Sequence, residues 1–187
     1  MGHNIFRLKD DMNSTPLSGT IPIIADGRIV LNRLLLKGVG FGIIGGLVGT
    51  ILMDIVMMVT FLIAGQPADT FFSMVGEKFG YGTLVGILVH NLVGITGGIV
   101  FSLLVLNIKA LRIDNMRKGL LLGIGAGAVT IPLGCIPLAI WLDQQILVVI
   151  AFSFLPHLVW GTVVGWTVAY GLLIYGRNHG SAATHGG

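Results

Sequence analysis

Four side chains set within otherwise apolar runs hold most of the chemistry this sequence offers: Asp54, His90, Cys135 and His157. Their types are those of proton carriers and metal ligands. Ionisable groups at membrane depth are costly, so each needs a partner or a purpose. Spacing relates them. Asp54 lies 17 residues beyond Lys37, and Cys135 lies 17 beyond Lys118. At the helical rise, each stands ~25 Å from that cation. His90 precedes Lys109 by 19 residues and His157 precedes Arg177 by 20, which is about 28–30 Å of helix. All four are therefore expected in one layer, in the outer part of a bilayer.

Three chemistries fit such a layer. In the simplest, Asp54 and His90 satisfy each other, and His157 bonds a carbonyl freed by Pro132 or Pro137. A proton or ion path lined by Asp54 and the two histidines is the second. The third is a copper or zinc site, because His, His, Asp and Cys have suitable donors, and Met57 and Met58 add soft ligands a turn beyond Asp54. Only the Asp–Met pairs share a helix at ligand spacing. The single cysteine excludes an intrachain disulfide and a CxxC-type cage. No HExxH or nucleophile–base set is written in the chain, and no strand precedes Gly40-Phe41-Gly42 to make it a phosphate loop. The expectation is a protein without catalytic residues or cofactor, too small and dry for a substrate cavity. His179 and His185, in a Gly-rich tail, read as solvated residues.

The elements that position these residues follow from composition. Apolar residues make up 54% and charged residues 10%, where soluble domains carry about a quarter charged. Runs this long without a polar face are membrane spans, each needing ~20 residues. The spans are placed at 36–64, 81–107, 118–141 and 146–175, an all-α integral membrane fold of four helices. Residues 1–35 form an N-terminal segment in which Ile29 to Lys37 is an interfacial lead-in. A first hairpin covers 36–107 with an outer loop at 65–80, a connection covers 108–117, a second hairpin 118–176, and a mobile tail 177–187. Asp143 is expected to cap the fourth helix. Pro132 and Pro137 should kink the third without ending it. In the outer loop, Pro67 to Thr70 reads as a helix start and Gly76 as its stop. The intervening Phe71, Phe72, Met74 and Val75 point to a short interfacial helix, aromatic side down, that could lid the polar layer.

Orientation is read from Lys and Arg. Arg7, Lys9, Arg28, Arg33 and Lys37 precede the first span, Lys109, Arg112, Arg117 and Lys118 flank the middle connection, and Arg177 follows the last. Lys78 alone lies opposite, so both termini are expected in the cytoplasm, at a cytoplasmic or inner membrane. Tyr81 and Trp141 fit an outer aromatic belt, Tyr170 and Tyr175 an inner one. The first thirty residues read as neither a signal peptide nor a myristoylation site.

The chain also resembles itself. Lys37-Gly38 opens a run with Gly38, Gly42 and Gly46, and Lys118-Gly119 opens another with Gly119, Gly123 and Gly127. His90, Gly94 and Gly98 correspond to His157, Gly161 and Gly165. The reading is two helical hairpins as parallel repeats, the first with about 14 extra outer-loop residues, related by an axis along the membrane normal. Every fourth position shares a helix face, and bare glycine there lets two backbones approach closely.

Asn91-Leu-Val-Gly94-Ile-Thr96, ending at Phe101-Ser102, the Lys118-Gly119-Leu-Leu start and Pro156-His157-Leu-Val-Trp160 resemble the small inner-membrane family that includes the YagU protein of enterobacteria. The likeness spans roughly the last three helices. It implies membrane location and helical architecture, and no catalytic residue. The functional expectation is a non-enzymatic subunit that packs through its glycine faces into a larger membrane complex, such as a respiratory or metal-dependent oxidase, or into a homo-oligomer. The alternatives are a small transporter or ion path built from the repeats, and a metal-binding membrane protein. Lipid and other membrane subunits are the expected partners, with no nucleic acid.

Overall fold

The computed structural model describes residues 22–180, with side chains from 35 to 174. Expectations for residues 1–21, His179, His185 and the tail beyond Gly180 lie outside those described side chains. Within the described residues the chain is helical apart from short connections. Helix α1 runs Pro22–Ile63, α2 Thr70–Lys78, α3 Thr83–Asn107, α4 Met116–Thr130, α5 Ile136–Trp141 and α6 Ile146–Gly180. A π-helical turn, Ile131–Cys135, joins α4 to α5 into one third span. Four stretches of 25 to 29 residues are long and apolar enough to cross a membrane, against about 20 needed. Helices suit such a solvent because every backbone N–H and C=O is satisfied within its own segment.

The ends show how local sequence closes each element. Gly65 (φ 73°) and Gly80 (φ 77°) take the left-handed conformation. The following amides, of Gln66 and Tyr81, reach back to the Phe61 and Gly76 carbonyls, the wrap that consumes a helix's last free carbonyls. Asp143 does the same for α5. It sits at φ 57° while Gln144 N–H bonds the Ala139 carbonyl at 2.9 Å. The expected cap on α6 is thereby corrected: Asp143 ends α5, and its carboxylate accepts no amide of α6. Asparagine and aspartate are the non-glycine residues that tolerate this geometry best.

Four further expectations change. The lead-in at Ile29–Lys37 is continuous with α1, which starts at Pro22. Gly76 does not stop α2. It lies inside the helix, and a Cβ there would strike the Gly82 carbonyl, so its bareness seats α2 on the start of α3. The α2 aromatics face protein instead of headgroups, with Phe71 and Phe72 buried. The kink expected from Pro132 and Pro137 takes the form of the π turn Ile131–Cys135, which contains Pro132 and ends just before Pro137. Neither proline has an N–H to give a carbonyl four residues back, and the wider turn absorbs that loss.

The spans pack in a row, α3–α1–α6–α4, with α1 and α6 central. Bare backbones meet at two of the three seams. Between α1 and α3, a Cβ on Gly42 or Gly98 would run into the other's carbonyl, and Gly46 lies on Gly94 and Ile95. Between α4 and α6, Gly123 meets Gly161 and Gly165, Gly127 meets the His157 carbonyl and Gly161, and Gly119 meets Ala169. Gly38 adds a polar tie, its carbonyl accepting from the buried Ser102 hydroxyl at 2.5 Å. The outermost elements of the row, α3 and the third span, scarcely touch.

Two apolar clusters fill the remaining interior. One, towards the α3–α4 connection, includes Phe101, Val105, Ile113, Val164 and Val168. The other joins α2 to the bundle through Met57, Phe61, Phe71, Phe72, Val75 and Leu142.

A candidate intramembrane cavity

Asp54 on α1 is buried, 7% exposed, and two donors of α3 converge on it. His90 Nδ1 lies 2.6 Å from Oδ1, and Asn91 Nδ2 lies 3.0 Å from Oδ2. Asn91 also donates to the Ile87 carbonyl at 3.0 Å. The glycine contacts one and two turns away bring the two backbones close enough for these short side chains to meet. The rings of Phe71 and Phe72 stand edge-on to His90, with centroids 5.2 and 5.8 Å away. Together, α1 and α3 fix the imidazole by its Nδ1, and α2 closes over it.

The second hairpin builds its own pair. His157 on α6 places Nδ1 2.8 Å from the Ser153 carbonyl. A carbonyl only accepts, so this nitrogen carries the proton. The partner is thus a carbonyl of α6 itself, correcting the expectation of one freed by Pro132 or Pro137 in the third span. The other nitrogen, Nε2, lies 4.0 Å from Cys135 Sγ, which the π turn presents.

The four expected residues are therefore drawn into two pairs, one within each hairpin. Among the described residues no three of His, Cys, Asp and Glu gather as a metal cage would need. Metal sites of these donors take three or four ligands around one ion, so the expected four-donor set is not assembled.

Between the hairpins lies a cavity of about 600 Å³. Its floor is the α1–α6 seam, with Met53, Met57 and Trp160, and its two sides are α3 and the third span. His90 enters from one side, His157 and Cys135 from the other, and Asp54 stands behind His90, off the wall. Exposed Val93 and Leu133 flank its long side, where α3 and the third span stand apart. At the α2 end the gap is bridged by Phe79 and Trp141, ring centroids 5.4 Å apart. A smaller space of about 330 Å³ adjoins it, sharing Met57, Phe71 and Ser153 and reaching Gln66 and Gln144 near the loops. Towards the α3–α4 connection, the wholly buried Val164 and Val168 close the bundle.

The expectation of a bundle too small for a cavity is corrected. The π turn around Pro132 and the bare Gly134 leave room that four straight, side-chain-bearing helices would fill.

Four residues of the site escaped the sequence reading or were misplaced by it. Asn91, the second donor to Asp54, follows directly after His90 and so had a signal in its neighbour. Phe71 and Phe72 were read as facing lipid. Trp160 lies three residues after His157, on the same helix face, and is 4% exposed. Its Nε1 is the one buried side-chain nitrogen or oxygen without a hydrogen-bond partner among the described residues.

No protein-family model, curated protein or solved structure matches the chain.

Proposed function

We propose that this protein is a non-enzymatic, multi-pass membrane protein that lodges a lipid-soluble molecule between its two hairpins. The observation that carries the proposal is the cavity of about 600 Å³, within the range of small-molecule sites. Its long side opens between α3 and the third span, the direction from which a molecule dissolved in the bilayer arrives. Mostly apolar walls with a few convergent polar groups are the usual make-up of such sites.

The ion path is supported less well. Asp54, its best carrier, is engaged by two donors and stands off the cavity wall. Beyond Trp160 the space ends against Val164 and Val168. A copper or zinc site lacks a third ligand of the usual kinds.

Duplication of one hairpin is part of the proposal. Equivalent glycines meet equivalent partners: Gly42 with Gly98 as Gly123 with Gly165, and Gly46 with Gly94 as Gly127 with Gly161. A two-fold axis relating the hairpins would pair α3 with α4 wherever it pairs α1 with α6. The cavity occupies that unmade seam.

A second reading, an accessory subunit of a larger complex, has one observation in its favour. A helix from another chain would cover Val93 and Leu133 at the opening. The glycine faces do not supply that grip, because they are spent inside the bundle.

Native mass spectrometry of the full chain, released from native membranes in mild detergent, tests the proposal. Gly134 lines the cavity and a Cβ there meets nothing within 4 Å, so Gly134→Leu plugs the space without touching backbone. The wild type should carry about one lipid-soluble molecule per chain and the plugged variant none. Equal occupancy in both overturns the reading. A stoichiometric partner chain in the spectrum would support the second.

A further inference from the structure

Most polar groups on the cavity walls are already engaged. His157 Nδ1 donates to the Ser153 carbonyl, and its Nε2 faces the Cys135 thiol. The Thr130 hydroxyl donates to the Gly127 carbonyl at 2.7 Å, and the Trp160 N–H is sealed within the floor. His90, on the α3 wall, differs. Its Nδ1 is held by Asp54 at 2.6 Å, but no described residue bonds its Nε2. That nitrogen is not sealed, and the side chain keeps 13% of its surface open, on the cavity that it lines. The protonation of Nε2 follows from charge. Inside the bundle, a net charge is the costliest form an acid–base pair can take. Asp54 and His90 are uncharged as a pair only with one proton in the bond between them and a second on Nε2. Asn91 Nδ2 donates to Oδ2, so that oxygen carries no proton. Wherever along the short bond the shared proton rests, Nε2 therefore presents an N–H. Left unmet in an apolar space, such a donor is expensive.

We propose that the cavity recognises a carbonyl-headed lipophile: a neutral ketone, ester or quinone whose oxygen accepts from His90 Nε2–H. A carbonyl only accepts, so this one donor satisfies it, whereas a hydrocarbon leaves the donor unmet. A carboxylate would carry a net charge between walls made mostly of Met, Val, Phe, Trp and Leu. Phe71 and Phe72, edge-on to the imidazole, hold the ring against the wall. Asp54 touches no ligand and is a positioning residue, fixing both the ring and the place of its protons. The ligand's apolar body extends over Met53 and Met57 towards the opening beside Val93 and Leu133. This inference rests on the ligand-holding reading above and specifies its chemistry.

The probes are octyl phenyl ketone and nonylbenzene, which differ by a carbonyl in place of one methylene. Binding of each to full-length protein in lipid nanodiscs is followed by equilibrium partition of isotope-labelled probe. The ketone should bind at one site per chain, on the order of tenfold tighter than the hydrocarbon, the value of one buried hydrogen bond. Its infrared carbonyl stretch should fall below that of the same ketone in lipid alone. His90→Phe keeps an aromatic ring beside Phe71 and Phe72 and loses the donor. It should erase the preference while nonylbenzene binding changes little. Should His90→Phe fail to assemble with Asp54 stranded, Asp54→Ala combined with His90→Phe carries the same comparison. A preference that survives loss of the imidazole, or an unshifted carbonyl band on saturably bound ketone, would overturn the proposal. Gly134→Leu should abolish saturable binding of both probes. Equal affinity of the two in the wild type, both lost in Gly134→Leu, would overturn the carbonyl recognition and leave the cavity reading standing. Saturable binding of neither probe, or binding untouched by Gly134→Leu, would overturn both.

Discussion

Asp54 accepts a hydrogen bond from each of two neighbouring residues of α3, and both bonds lie inside the bundle. Removing the acceptor strands two donors, so the loss exceeds the value of the bonds themselves. Asp54→Ala should destabilise the protein by about 1–3 kcal/mol, read from unfolding in mixed micelles. Combining it with His90→Phe should cost less than the sum of the two single changes, because one interaction cannot be lost twice. Strict additivity would mean that the pair contributes nothing to stability. The carboxylate and the imidazole were legible as partners from their helical depth. Asn91 was not, because an asparagine's preference for a carboxylate over its own helix's carbonyls is settled only when another helix arrives.

At the scale of elements, glycine position separates packing from surface. A methyl group on Gly98 would meet the Gly42 carbonyl and the Gly46 backbone, and one on Gly123 would meet the Gly161 carbonyl. Backbone cannot step aside as a side chain does. Gly98→Ala and Gly123→Ala should each cost about 1–3 kcal/mol. Gly40 and Gly125 face open space, and there alanine should be neutral or stabilise by up to about 1 kcal/mol through helix propensity. Thermal unfolding of the four variants in one detergent checks the split. Equal effects at all four positions would mean that the seams do not bring backbones together. Glycines at four-residue spacing were visible in the sequence, but Gly40 and Gly125 carry the same letter as their neighbours. Which glycine meets a backbone depends on the rotation of each helix about its axis.

For the whole molecule, the four spans put α2 and the α3–α4 connection at opposite ends. The excess of Lys and Arg places the connection in the cytoplasm as a proposal. On a Cys135→Ser background, Glu77→Cys should react with an impermeant maleimide applied outside intact cells, and Ala110→Cys only after permeabilisation. Both positions are exposed, and neither substitution disturbs a packed glycine. The reverse pattern would invert the orientation and move the α2-side cavity to the cytoplasmic half. The row α3–α1–α6–α4 also leaves the first and third spans with different surroundings despite their shared spacing. α1 is packed on two sides, whereas α4 is packed on α6 alone.

By itself the sequence determined four helices long and apolar enough to cross a membrane, and roughly where they lie, because length and apolar content are properties of a segment read alone. It also marked the polar side chains and the small-residue faces. Tertiary structure decided the rest. In lipid every face of a span is apolar, so hydropathy carries no record of which face turns inward. Asp54 is joined to His90 and His157 to the thiol of Cys135 because helix rotation within each hairpin put them face to face. Pro132 and Pro137 announced a disturbance, but only packing of the third span against α6 resolved it as a π turn that presents Cys135. The cavity is the least legible feature of all. It is a space bounded by residues from every span, and it exists because α1 and α6 form a seam that α3 and the third span do not match.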